Sequence, residues 1–158
     1  MPYIADSSLF IVRKRLEGSV ITVPSVVEEL RDENARTTLE LMNVHIEPPL
    51  SAFKKEVREK AGITKDSEEL SATDIDILAK ALEYSKRGET ILVTDDFAVQ
   101  NMALQLGIQI MPAGGRKIKD VLLWEKICTG CKRRFNEGDV CPVCGSPLKK
   151  IRKRKLHL

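Results

Sequence analysis

Two sets of side chains in this sequence have the types and spacing to do chemistry. The first is sulfur: Cys128-Thr-Gly-Cys131 and, nine residues on, Cys141-Pro-Val-Cys144-Gly145. Two CxxC pairs supply four thiolates, the donors of a closed tetrahedral Zn2+ site, and leave no open position for catalysis. Gly130 and Gly145 permit tight turns that bring backbone amides to the sulfurs. A module of about 30 residues has almost no core, so metal binding would carry its folding. Iron in a rubredoxin-like site and redox thiols are the alternatives to structural zinc.

The second set is carboxylate. In ILVTDDFAVQ, residues 91–100, an apolar strand runs into Asp95 and Asp96 and then into a helix. One aspartate suffices as an N-cap, so the second asks for a role. Asp6 ends the first apolar strand in the same way. On the helix expected over 71–86, Ser71-Ala-Thr-Asp74 fits a capping box. Ile75, Ile77, Leu78, Ala79, Ala81 and Leu82 define an apolar arc that also contains Asp74. Asp76 falls opposite, four residues before Lys80, with which it can pair. A carboxylate on a buried face is costly unless paired or metal-bound. By the same test Glu29 flanks the inner face of its helix, set by Val26, Val27 and Leu30, while Glu28 points away. Asp6, Glu29, Asp74 and one or both of Asp95 and Asp96 are therefore the candidate acids. Carboxylates without a compensating lysine suit Mg2+ or Mn2+, and one or two such ions can drive phosphodiester hydrolysis. The two histidines, His45 and His157, neighbour no nucleophile motif, and GxSxG, P-loop and GxGxxG patterns are absent.

The elements that must position these groups are short apolar runs alternating with amphipathic stretches. Tyr3–Asp6, Val20–Val23, Val44–Glu47, Thr90–Thr94 and Ile108–Met111 read as strands. Pro24 starts one helix, Gly62 ends the helix expected over Leu50–Ala61, and Gly88 follows the longest. Alternation of this kind implies an α/β fold with a central parallel sheet covered on both faces and ligands beyond the carboxyl ends of its strands. PAGGRK, residues 112–117, reads as a hinge. The expected organisation is an α/β domain over 1–112, a linker over 113–122, a zinc ribbon over 123–148 and a basic tail over 149–158.

Charge is divided between these parts. Residues 1–118 hold 15 Lys/Arg and 19 Asp/Glu, whereas 119–158 hold 11 and 4. Lys132, Arg133, Arg134, Lys149, Lys150, Arg152, Lys153, Arg154 and Lys155 make the C-terminal segment a candidate grip for a polyanion, nucleic acid first. Trp124 and Phe135 are read as packing residues. The apolar runs are too short for a membrane span, and the first residues lack a signal-peptide pattern, so a cytoplasmic protein with reduced or metal-bound cysteines is expected. Four Asn and three Gln beside 31% charged residues lean towards a thermophilic source.

Asp6 after the first strand, VVEEL at 26–30, SATDIDILA at 71–79 and VTDDFAVQN at 93–101 together resemble the PIN-domain ribonucleases. Motif by motif, the family's acids fall on Asp6, Glu29, Asp74 and, through T-x-D, Asp96, with Thr94 orienting it. The resemblance implies a PIN-like α/β/α fold and metal-dependent RNA hydrolysis leaving a 5′-phosphate and a 3′-hydroxyl. With LRD at 30–32 and the cysteine ribbon, the chain is similar to the archaeal branch that trims the 3′ end of small-subunit ribosomal RNA. That branch implies precursor 16S rRNA, the immature small subunit and other assembly factors as partners, one structural Zn2+, and catalytic Mn2+ or Mg2+. A PIN toxin and a non-catalytic RNA-binding scaffold for ribosome assembly are the rival readings.

Overall fold

Five short apolar runs pair into one parallel sheet in a computed structural model that describes residues 1–157, with side chains as far as Arg152. The strands are β1 (Tyr3–Ala5), β2 (Val20–Thr22), β3 (His45–Ile46), β4 (Ile91–Val93) and β5 (Gln109–Met111). Their order is β3-β2-β1-β4-β5, every neighbour parallel. Crossovers are helical: α1 (Ser7–Val12), α2 (Pro24–Glu29), α3 (Glu33–Leu41), α4 (Ser51–Thr64), α5 (Ala72–Ser85) and α6 (Phe97–Gln105). Ile4, Leu92, Val93, Leu9, Phe10, Ile77, Leu78 and Met102 are fully buried and form the centre of the core. Strand order reverses at β1/β4, where parallel sheets open a crevice at their carboxyl edge. Asp6 and Thr94 are the first residues beyond these two strands.

Two local expectations are corrected. Gly62 does not end α4, because a helix tolerates one glycine. The stop is Lys65 in the left-handed region at φ 65°, with its amide on Ala61 and Gly62 carbonyls. The expected pair of Asp76 with Lys80 does not form either, because α4 packs against that side of α5. Lys80 and Glu83 are 2% and 3% exposed, with Lys80 Nζ 2.6 Å from Glu83 Oε2 and 3.6 Å from Glu47 Oε1. Asp76 pairs instead with Lys54 of α4 at 3.1 Å and accepts from Ser25 Oγ at 2.8 Å.

The chain divides into two units, the first ending at Ile118 and the second starting at Lys119. The second is an antiparallel sheet of β6 (Asp120–Cys128), β7 (Arg134–Phe135) and β8 (Leu148–His157), ordered β7-β6-β8. The segment 113–122, read from sequence as a linker, is thus split between the end of the first unit and the start of β6. Of the segment read as a tail, 149–158, residues 149–157 pair along β6 from Ile127 back to Asp120 with an irregularity at Leu123/Trp124, and residue 158 lies outside the described residues. The run of basic residues hid an extended backbone whose β6-facing amides and carbonyls pair in the ladder. Among the described residues no helix is long and apolar enough to cross a membrane.

The buried Lys80–Glu83 pair yields a stability prediction. Lys80→Ala leaves Glu83 buried without its nearest cation and is expected to cost about 3–5 kcal/mol in urea unfolding. Replacing both, as Lys80→Met with Glu83→Leu, should cost far less.

Candidate active site and metal centre

Asp6 is 8% exposed at the end of β1. Its Oδ1 accepts the Ser7 amide at 2.8 Å, capping α1, and its Oδ2 accepts Thr94 Oγ1 at 2.9 Å. Thr94 is fully buried, and its Oγ1 in turn accepts the Asp96 amide at 3.1 Å. Because that hydroxyl already accepts, its single proton goes to Asp6. One buried side chain therefore ties together the acids that follow β1 and β4.

Asp96 is the cap of α6: Oδ1 accepts from Ala98 at 2.8 Å and Val99 at 3.2 Å. Asp74 closes the expected capping box, its Oδ2 accepting the Ser71 amide at 2.8 Å while its own amide donates to Ser71 Oγ at 3.1 Å. Glu29, exposed at the last turn of α2, accepts from Thr73 Oγ1 at 2.6 Å. Thr73 was not singled out from sequence. Its signal was there in retrospect: a hydroxyl directly preceding Asp74, as Thr94 shortly precedes Asp96.

Two of the four acids, Asp6 and Asp74, are shifted by their surroundings. Burial pushes the Asp6 carboxyl above the ordinary 3.8, helped by the charges of Asp74 and Asp96 and opposed by hydrogen bonds from Ser7 and Thr94. Burial likewise raises Asp74, with Asp96 and Glu29 adding to it. Among the described residues no lysine or arginine forms an ion pair with any of the four. Such hard-oxygen donors suit Mg2+ or Mn2+, which keep several waters and need only one or two direct carboxylates. The set is open rather than a closed cage. Among the described residues only the four cysteines bring three or more ligand atoms within 4.8 Å of one another.

Asp95 faces a different task. Its Oδ1 accepts the amides of Ala113 at 2.8 Å and Gly115 at 2.9 Å, and both oxygens lie 3.2 Å from the Gly114 amide. A Cβ on Gly115 would come within 3.1 Å of Asp95 Cγ, and one on Gly114 within 2.8 Å of Val12 Cγ1. The glycine pair is what lets the chain close over this carboxylate. Gln100, fully buried, donates to the Thr94 and Arg116 carbonyls and accepts the Ile118 amide. The sequence left Asp95 either as cap or in the outer shell of the site. The cap is Asp96, and Asp95 holds residues 113–115.

In the second unit the Sγ atoms of Cys128 and Cys144 are 3.3 Å apart and those of Cys131 and Cys141 3.7 Å. A tetrahedral Zn2+ with bonds near 2.3 Å places sulfurs about 3.8 Å apart, so the set fits that ion with a small adjustment. Each CxxC loop turns its amides on its first sulfur. Gly130 and Cys131 amides lie 3.3 Å from Cys128 Sγ, and Val143 and Cys144 amides 3.4 Å from Cys141 Sγ. Hydrogen bonds from the Ser146 side chain and backbone hold Cys144 down at about 5, favouring the thiolate a metal requires. Lys132 and Gly145, each following a second cysteine, both adopt positive φ, 64° and 77°.

The basic candidates vary in availability. Lys132, Arg133, Lys149 and Arg152 are exposed. Arg134 pairs with Glu125 at 2.5 Å, and Lys150 Nζ sits 4.8 Å from the Trp124 ring centroid. The side chains of Lys153, Arg154 and Lys155 lie outside the described residues.

Comparison with known proteins gives a concordant picture. The family model described as the PIN domain of ribonuclease matches residues 3–84. The chain is 43% identical to Endoribonuclease Nob1 of Archaeoglobus fulgidus, over 91% of this chain and 87% of that protein. It is 38% identical to Endoribonuclease Nob1 of Pyrococcus abyssi over 96% and 94%. It is 34% identical to Ribonuclease VapC1 of Thermoplasma acidophilum over 95% and 78%.

Two predictions arise from this geometry. Between 3.8 and the raised native value of Asp74, the folded chain binds more protons than the unfolded one, so this group's contribution to stability falls as pH rises. With zinc on the cysteines and no Mg2+ or Mn2+, Asp74→Asn is expected to melt above the wild type at neutral pH. The gap should close as pH falls through the native pKa, read by calorimetry at a series of pH values. In the ribbon, a Cβ at Gly130 would lie 2.5 Å from Ser146 Oγ and 3.4 Å from Cys144 Sγ. Gly130→Val should weaken zinc affinity at least tenfold in a chelator competition, and leave melting of the first unit unchanged.

Proposed function

We infer that this chain, which belongs to the PIN-domain ribonucleases and within them to the Nob1 endoribonucleases, trims the 3′ end of precursor small-subunit (16S) ribosomal RNA by divalent-metal-assisted hydrolysis. The observation that carries the reading is the meeting of Asp6, Glu29, Asp74 and Asp96 at the carboxyl edge of β1 and β4. It is supported by the likeness of these motifs, followed by a four-cysteine ribbon, to the nucleases that mature small-subunit rRNA.

Asp6, Glu29, Asp74 and Asp96 would hold Mg2+ or Mn2+. Such an ion, when bound, supplies a water of lowered pKa and stabilises charge on the leaving oxygen. The chain's own contribution is placement. Thr94 donates to Asp6, Thr73 donates to Glu29, and the caps of α5 and α6 fix Asp74 and Asp96 to rigid helix starts. The raised carboxyls of Asp6 and Asp74 hold protons to higher pH than ordinary carboxylates, so acidification should lower activity. The unit from Lys119 onward, folded around Zn2+, would grip RNA phosphates through Lys132, Arg133, Lys149 and Arg152. These contacts position the strand and carry no sequence information. The immature small subunit and its assembly factors are the setting in which such a substrate occurs. A second reading, a VapC-type ribonuclease acting on other RNA, is favoured by the Thermoplasma relative.

The test is cleavage of RNA spanning the 3′ end of small-subunit rRNA, with and without Mn2+, by the wild type and by Asp96→Asn. One metal-dependent cut, slowed at least a hundredfold in the variant, is the expected result. Equal cutting of unrelated RNAs would favour the second reading, and equal cutting by the variant would remove Asp96 from the site.

A further inference from the structure

We propose that Phe97 is a stacking platform for an unpaired nucleobase beside the scissile phosphodiester. The proposal rests on the reading that the acid cluster cuts RNA.

The chain has one Trp, two Tyr and four Phe. Phe10 is fully buried, and Tyr3, Phe53, Tyr84, Trp124 and Phe135 are half-buried. Phe97 alone is exposed, at 53%. It is the first residue of α6, directly after the capping Asp96, so its backbone is attached next to an acid of the site. Exposed apolar side chains are common on their own, and Ile11, Leu41 and Ile63 are others here. Those are aliphatic, and none directly follows an acid of the site.

Helix stability does not account for the ring. A first helical position needs no apolar side chain, and the start of α6 is already secured by Asp96 Oδ1 on the Ala98 and Val99 amides. That pair of hydrogen bonds also makes the site of attachment rigid, as a recognition group requires. An aromatic face accepts any nucleobase, so it would orient a strand without reading its sequence. It also complements the surrounding carboxylates. They repel the phosphates of RNA in the absence of cations, whereas stacking is indifferent to charge. The acids would engage the phosphate through metal and Phe97 the adjoining base, which requires the substrate to be single-stranded there.

The experiment uses the full chain, zinc-loaded, and a short single-stranded RNA carrying 2-aminopurine next to the cut phosphodiester, with Mn2+. Stacking quenches that fluorophore. Phe97→Leu keeps an apolar side chain of similar size and removes the π-face, while Phe97→Tyr keeps it. The expected result is quenching by the wild type and by Phe97→Tyr, lost in Phe97→Leu. KM should rise roughly 5- to 100-fold in Phe97→Leu, the range that base–aromatic stacking supplies, with kcat changed little and melting unchanged. Equal quenching and equal KM in Phe97→Leu would overturn the platform. A wild type that quenches in a Phe97-dependent way but does not cut would overturn the hydrolytic reading and leave the platform standing. Neither quenching nor cutting would overturn both.

Discussion

Like charges gathered in one place repel, and the first unit is arranged around that repulsion. Asp6, Glu29, Asp74 and Asp96 come from four separate points of the chain, and each is pinned by a neutral donor rather than a cation. Thr94 and Thr73 supply hydroxyls; the starts of α1, α5 and α6 supply amides. Neutral donors hold a carboxylate in place without cancelling its charge. A lysine in any of those roles would have relieved the repulsion. Helix capping and the gathering of acids are therefore one arrangement: the same oxygen atoms satisfy the first amides of a helix and set the direction of the carboxylate. The order β3-β2-β1-β4-β5 completes it by placing the reversal of strand order beneath Asp6 and Thr94.

The nearness of the candidate acids to one another was legible from strand ends and motif, with periodicity adding Asp74 and Glu29, and the capping box at Ser71–Asp74 was readable from four residues. What escaped was whatever depends on a neighbouring element. Lys80 and Glu83 look like a solvated face on a helical wheel, and only the packing of α4 shows that they are inside. Asp76 seemed matched to Lys80 on its own helix, yet Lys54 and Ser25 reach it from two others. Thr73 and Phe97 are ordinary residues in isolation, and their meaning lies in standing next to Asp74 and Asp96. The run Lys149–Lys155 concealed a strand, because charge says little about backbone conformation when one neighbouring strand supplies the whole ladder.

The second unit obeys a different economy. Its sheet is small, and the order in its loops comes from sulfur: each CxxC is a turn whose amides point at its first cysteine sulfur. The two halves are built alike but not equally. Gly145 takes its left-handed conformation without steric cost, whereas Lys132 takes the same conformation against the usual preference of a side-chain-bearing residue. Lys132 in that conformation places its ammonium beside the cysteine loop, where Nζ donates to the Thr129 carbonyl at 3.2 Å.

Adjacent Asp95 and Asp96 have a practical consequence for dissecting the chain. Their side chains divide the work, Asp96 standing among the acids and Asp95 receiving three amides from 113–115, while Gln100 receives Ile118 and Lys14 reaches the Pro112 carbonyl. The Pro-Ala-Gly-Gly stretch at 112–115 that looks like a natural place to cut is thus a structural piece of the nuclease unit. A fragment ending before it would strip these donors from Asp95, one residue from Asp96, and leave its side chain unheld. Excision of the nuclease unit intact has to carry the chain through Ile118.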